Sequence, residues 1–362
     1  MVNMKMPKQR TETGFTVLEL SVAIALGLIV LGAMAGLFKA GMDSAMLLTQ
    51  RTETQQNMRA AIDLMVKDIS MAGAGLPSGG IQLPTGAGNN GLSLYACDQA
   101  GACHLPGNTY PTGNYMYGVL PGYNNGVEGA AVVAAAPAPE VNDSITSIYC
   151  DYNFPVWEYD ITFPVPSNGT SIALAPDAAY VPAPPAINAA GGIQVGDLIM
   201  LSNSLGTAVG EVTGITATSI DFADLDPLNV NQNGATSNNI AAISNGSNTI
   251  AYRLFAVTYY LSVPPAGQTP RLMRQVNGLS PVPVADNIIN LQFSYDIYNS
   301  TTSALEANQA NPLGVGDSPN LMQKINIVVM GQSMLNHGNR SQNLYLATSV
   351  SARNMAFRNR YQ

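Results

Sequence analysis

Charge is scarce in this chain. Asp, Glu, Lys and Arg make up 10% of its 362 residues, with two histidines, one tryptophan and three cysteines. Neither His104 nor His337 sits in a recognisable catalytic pattern. No phosphate-binding glycine loop, dinucleotide fingerprint or G-x-S-x-G elbow occurs, so the marks of an ATP-driven motor or a serine hydrolase are missing. The formal charge of −8 argues against a general surface for nucleic acid. In place of charge the chain has 46% hydrophobic residues, 34 glycines and 23 prolines. That is the profile of a secreted, loop-rich β protein with enough apolar content for a core.

The scarcity is most pronounced near the amino terminus. Lys5, Lys8 and Arg10 precede Gly14, and from Phe15 to Phe38 the only charged residue is Glu19. As a helix rising ~1.5 Å per residue, this run reaches on the order of 36 Å, enough to cross a hydrocarbon core. Positive charge on the leader side keeps the leader cytoplasmic and sends the remainder outward. A lone carboxylate at membrane depth costs several kcal/mol and needs a partner or an interfacial position.

Beyond the run, Met58, Ile62, Met65, Val66 and Ile69 recur at helical spacing, with Arg59, Asp63, Lys67 and Asp68 between them. Gly73-Ala-Gly75-Leu-Pro77 is a stop signal. Residues 15–72 therefore read as one long helix, apolar all round and then half-buried. Gly27, Gly32, Gly36 and Gly41 suit either close helix packing or ordinary membrane-helix composition. Residues 78–130 are rich in Gly, Asn, Pro and Tyr and read as surface loops with short strands. Strands follow: Asp197–Leu201, Tyr252–Leu261, the alternating Leu291, Phe293, Tyr295 and Ile297, then Ile325–Met330 and Leu344–Val350. Pro- and Asn-rich joints at 176–186 and 227–248 separate them.

Arg10-Thr-Glu-Thr-Gly14 followed by Phe15-Thr-Val-Leu-Glu19 resembles the type IV prepilin cleavage and methylation motif. Later stretches resemble, in order, the PilW-like minor pilins: Leu64–Gly73, Gln194-Val-Gly-Asp-Leu198, Arg271-Leu-Met-Arg274, Ala285–Tyr295, and an Arg-Asn close at Arg353-Asn354 or Arg358-Asn359. The resemblance implies cleavage after Gly14 by a prepilin peptidase and N-methylation of Phe15. It also implies pairing of Glu19 with a terminal amine, of the same or a neighbouring chain, that sets filament register. The expected fold is α+β and pilin-like: leader 1–14, membrane and filament-core helix 15–38, amphipathic helix 39–72, and a mostly antiparallel β head over 73–362 with long loops. Cleavage would remove Lys5, Lys8, Arg10 and Glu12 and take the formal charge from −8 to −10.

The function so implied is non-enzymatic: a minor pilin acting in pilus initiation or at the tip, where a bulky head crowds less than in a repeating shaft. Its partners would be the peptidase, other minor and major pilins through the helix, and the inner membrane before assembly. The head would lie outside the cytoplasm, with no cofactor and no nucleic acid. A J-type minor pseudopilin of a type II secretion system shares the leader and plan, and a membrane-anchored envelope adhesin or hydrolase is the reading from a different class.

Export would make a disulfide between Cys97 and Cys103 plausible, with Cys150 left over, and all three pairings stay open. Cys97, Cys103 and His104 lack the spacing of a zinc pair. Asn229–Gly234 imitates the first half of a calcium loop, but its twelfth position is Ile240. Asp221, Asp224 and Asp226 just before it read as a solvated acidic loop in preference to a calcium site.

Overall fold

In the computed structural model, residues 14–84, 115–123, 142–164, 168–226, 228–262, 270–310, 318–332 and 342–356 are described. The chain divides into two compact units, up to Thr52 and from Glu53 onward. One helix, α1, runs Val17–Met71 and belongs to both. Its residues before Thr54 contribute nothing to the buried core, whereas Met58, Ala61, Ile62, Met65 and Ile69 are fully or almost fully buried. Apart from the adjacent Ala61 and Ile62, these recur three or four residues apart, so they form one stripe along the second half of the helix.

The second unit is built on antiparallel strands. In chain order they are β1 (Ile81–Gln82), β2 (Tyr115–Met116), β3 (Val119–Gly122), β4 (Ser144–Asp151), β5 (Tyr159–Thr162), β6 (Ser171–Pro176), β7 (Leu198–Asn203) and β8 (Gly206–Ile215). There follow β9 (Ser219–Phe222), β10 (Ile250–Leu261), β11 (Arg271–Val276), β12 (Val282–Asp286), β13 (Ile288–Asn299), β14 (Ala304–Gln309), β15 (Met322–Gln332) and β16 (Asn343–Ser351). Two helices of four residues each, α2 (Ile240–Ile243) and α3 (Arg353–Ala356), and two 3-10 turns, Val156–Glu158 and Pro319–Leu321, complete the described elements.

The larger sheet has the order β12-β11-β10-β7-β8-β9-β6-β5, and β4 joins it with β3 outside. Strand β10 is its hub. One of its edges pairs first with β7 and then with β11, while the other pairs with β4 from Arg253 to Tyr259. A second sheet has the order β14-β13-β15-β16. The alternation at Leu291, Phe293, Tyr295 and Ile297 turns all four side chains inward on β13, as the period of two requires. The buried stripe of α1 shares a core with β4, β10 and β11 of the larger sheet and with β13, β15 and β16 of the smaller one. The opposite face of the larger sheet forms a second core around Ile148, Cys150, Met200, Val209 and Leu254. A third gathers β5 to β9 with α2.

The stop signal works through backbone conformation and close approach. Gly73 and Gly75 have φ of +80° and +76°, the left-handed region that glycine enters without strain. Freed from the helix, Gly73 N–H donates to Ile148 O (2.8 Å) and Cys150 N–H to Ala74 O (2.9 Å), which ties the chain after α1 to β4. Asn354 Nδ2 reaches back to Ser70 O (3.3 Å) and Met71 O (3.4 Å), satisfying carbonyls that a helix end leaves without partners. Of the two Arg-Asn pairs near the carboxy terminus, Arg353-Asn354 therefore has a structural task. The other pair lies outside the described residues.

Candidate functional site

The amino-terminal segment is built as a helix start. Thr16 occupies the cap, and Thr16-Val-Leu-Glu19 forms a capping box. Glu19 N–H donates to Thr16 Oγ1 (3.2 Å), while Glu19 Oε2 accepts from Thr16 N–H (2.9 Å) and from Thr16 Oγ1 (2.9 Å). The carboxylate also meets the positive end of the helix dipole. Glu19 thus has a local, intrachain partner in the adjoining backbone. Gly14 and Phe15 precede the helix, and Phe15 is 89% exposed. From Val17 to Phe38 every large apolar side chain is exposed, with Leu28 at 64%. This helix is long and apolar enough to cross a membrane, and the window that qualifies is not buried within the protein.

At the other end of α1 sits a buried polar joint. Asp68 falls three residues after Met65, on the buried stripe, and is 4% exposed. Its Oδ1 accepts from Tyr149 OH (3.0 Å) on β4 and from Arg274 (3.3 Å) on β11. Its Oδ2 accepts from Tyr259 OH (2.5 Å) on β10 and from Arg274 Nε (2.8 Å). One carboxylate thereby fastens the helix to three strands. Burial, then the Asp68 charge, push the Tyr149 and Tyr259 hydroxyls well above the usual phenol range. For Arg274 burial opposes the charge, but the hydrogen bonds and charge of Asp68 prevail and its pKa is raised. The helical spacing places Asp68 among the polar residues between the apolar positions, and the structure corrects this: its side chain is buried.

A second joint surrounds Arg253 on β10. Its guanidinium donates to Asp151 of β4 (Nε to Oδ2, 2.8 Å) and to Gly192 O (2.6 Å), with Asp197 Oδ2 3.6 Å away. The Phe154 and Phe255 rings lie 5.6 and 5.2 Å from it. Asp197, in the turn before β7, also accepts from Gln194 N–H (2.9 Å) and Asn277 Nδ2 (3.3 Å). Its pKa is raised by burial against the opposing effect of these donors. The Val-Gly-Asp stretch is thus a turn that delivers Asp197 toward Arg253, helped by Gly196 at φ +94°. Sequence reading missed both joints, although each leaves a trace: a lone charge inside the apolar run of β10, and an acid at a stripe position of α1.

Asp224 and Asp226 are turn caps. Asp224 Oδ1 accepts from Asn233 N–H (2.8 Å), and Asp226 accepts from Glu211 N–H (3.0 Å) and Val230 N–H (2.8 Å). Asp226 is 2% exposed, so the expectation of a solvated acidic loop fails at that residue. Burial raises its pKa to about 6, even with four backbone N–H groups acting the other way. Asp221 lies on β9. Among the described residues no three His, Cys, Asp or Glu side chains converge as a metal site. Cys150 is buried in the second core, while Cys97, Cys103 and the leader 1–13 lie outside the described residues.

Comparison of the chain with protein-family models, curated proteins and solved structures finds no match. What the described residues show is an amino-terminal apolar helix of membrane-spanning length and a mostly antiparallel β body, an α+β architecture.

Proposed function

We propose that this chain is a prepilin-type subunit, most like the PilW-like minor pilins, cut after Gly14 and methylated on Phe15. It waits in the inner membrane with its body outside the cytoplasm, and enters a pilus by exchanging lipid contacts along residues 15–38 for contacts with other pilin helices. The observation that carries this reading is the placement of Glu19. A lone acid opens an apolar helix five positions after Gly14, and its carboxylate already holds the N–H of Thr16, next to the residue whose amine cleavage would free. In the processed chain the new ammonium on Phe15 would lie one residue from the N–H that this carboxylate holds, in apolar surroundings where an unpaired charge penalises wrong axial stagger.

The test is mass analysis of the intact protein and its amino terminus, after expression with and without a prepilin peptidase. A product that begins at methylated Phe15, lost with Gly14→Asp or without the peptidase, is the expected result. An uncut chain, or one cut beyond residue 38, would overturn the reading.

A further inference from the structure

Three rings meet at the surface where β4 ends and β10 begins. Tyr152 follows β4, Trp157 lies in the Val156–Glu158 turn, and Tyr252 is the third residue of β10. Their centroids are 5.7 Å (Tyr152–Trp157), 6.2 Å (Tyr152–Tyr252) and 5.9 Å (Trp157–Tyr252) apart. Tyr152 is 53% exposed, and the other two are half-buried. Charge around the cluster has one sign. From Asp68 to Tyr252 the chain contains fourteen acids and no Lys or Arg. Glu158 adjoins Trp157, and its carbonyl accepts from Asp177 N–H (3.0 Å), which brings Asp177 alongside. Among the described residues neither of these two carboxylates joins an ion pair. Arg253, next to Tyr252 in the chain, faces the other side of β10, where Asp151 holds it. Exposed ring faces beside carboxylates without a cation favour a positive group, above all the flat guanidinium of arginine.

The chain supplies such groups close by. At the end of α3, Met355 packs on Gly73, where a Cβ would lie 2.9 Å from Met355 Cγ, and Gly75 lies against the Tyr152 hydroxyl. These contacts put the end of α3 within about 20 Å of that hydroxyl. The residues that follow, Phe357-Arg358-Asn359-Arg360-Tyr361-Gln362, lie outside the described ones and contain two arginines and no acid. Six residues reach about 20 Å when extended. In an extended segment Arg358 and Arg360 share one side, and Phe357 and Tyr361 take the other.

We infer that residues 357–362 dock on the Tyr152–Trp157–Tyr252 cluster of their own chain, with Arg358 and Arg360 against the rings and the carboxylates of Glu158 and Asp177. Charge and reach select this occupant. An acidic or neutral segment has no cation to offer the rings and carboxylates. A second copy or a separate basic protein offers the same chemistry, but the tether holds this segment at a millimolar effective concentration, which an untethered competitor must exceed. The second Arg-Asn pair thereby gains a task on the surface, as the first has one at the helix end. The inference does not depend on the pilin reading.

The experiment is acrylamide quenching of Trp157, the one tryptophan of the chain, in the full protein in detergent. Arg358→Glu combined with Arg360→Glu should increase the quenching, shift the emission to the red and leave unfolding of the body unchanged. Tyr361→Ala, on the other side of the segment, should change neither signal. A synthetic peptide of residues 357–362 should restore protection in the double variant only at roughly millimolar concentration, and a peptide with both arginines replaced by glutamate should not. Quenching unaltered by the double charge reversal would overturn the inference. So would an equal response to Tyr361→Ala, restoration at micromolar peptide, or protection of Trp157 in the unaltered chain that falls on dilution, the mark of a second copy as occupant.

Discussion

From Val17 to Phe38, α1 is almost wholly apolar and every large side chain is exposed. From Thr54 to Met71 the same helix carries Arg59, Asp63, Lys67 and Asp68, and yet supplies the inner stripe of a core. Apolar content therefore does not decide burial along this helix. The second half is buried because its apolar residues fall on one side, where two sheets converge. The first half is apolar around its whole circumference, so no single face can satisfy it, and a helix of that kind calls for lipid or for other helices as its surroundings.

Substitutions in the two halves should separate accordingly. The largest loss is expected for Asp68→Ala, which leaves Arg274 and two buried hydroxyls without their acceptor. Unfolding of the full chain in detergent, followed through Trp157 in the body, should show a loss of ~3–5 kcal/mol. Asp68→Asn should lose less, because one oxygen remains. A result near zero would show that the joint does not hold the helix to the strands.

Met65→Ala should cost ~2–5 kcal/mol through lost burial and the cavity left behind. The comparable truncation Leu28→Ala in the exposed half should stay within ~0.5 kcal/mol by the same measurement. Equal effects at the two positions would erase the contrast between the halves.

A further difference is expected in pH dependence. Asp226 binds its proton more tightly folded than unfolded, since burial raises its pKa to about 6. Its stabilising contribution is complete below the unfolded carboxylate value near ~4 and is lost as pH rises through about 6. Between those limits, unfolding free energy should fall by on the order of 3 kcal/mol from this group. Asp226→Asn should flatten that segment of the profile. An unchanged slope would place the titration elsewhere.

Much of this was legible in the chain itself. The length of the apolar run, the helical spacing of Met58, Ile62, Met65 and Ile69, the glycine stop and the alternation on β13 are local patterns. Each follows from the period of its element or from the conformations glycine allows. The Thr16–Glu19 box is equally local, because its partners are three residues apart. The expected strand at Asp197–Leu201 begins one residue later, at Leu198, since Asp197 is held in the preceding turn by Gln194.

What the sequence by itself determined, then, was the class of each element and the exposed character of the run that begins at Phe15. Only the tertiary structure decided which charges are buried. Asp68 meets Tyr259 and Arg274 across separations of 191 and 206 residues, and Arg253 meets Asp151 across 102. A buried charge is tolerated only where distant groups neutralise it and supply its hydrogen bonds. The partners come from strands whose pairing no local pattern encodes. The same holds for β16: its alternation is written in the chain, but its place at an edge follows from the order in which the strands assemble.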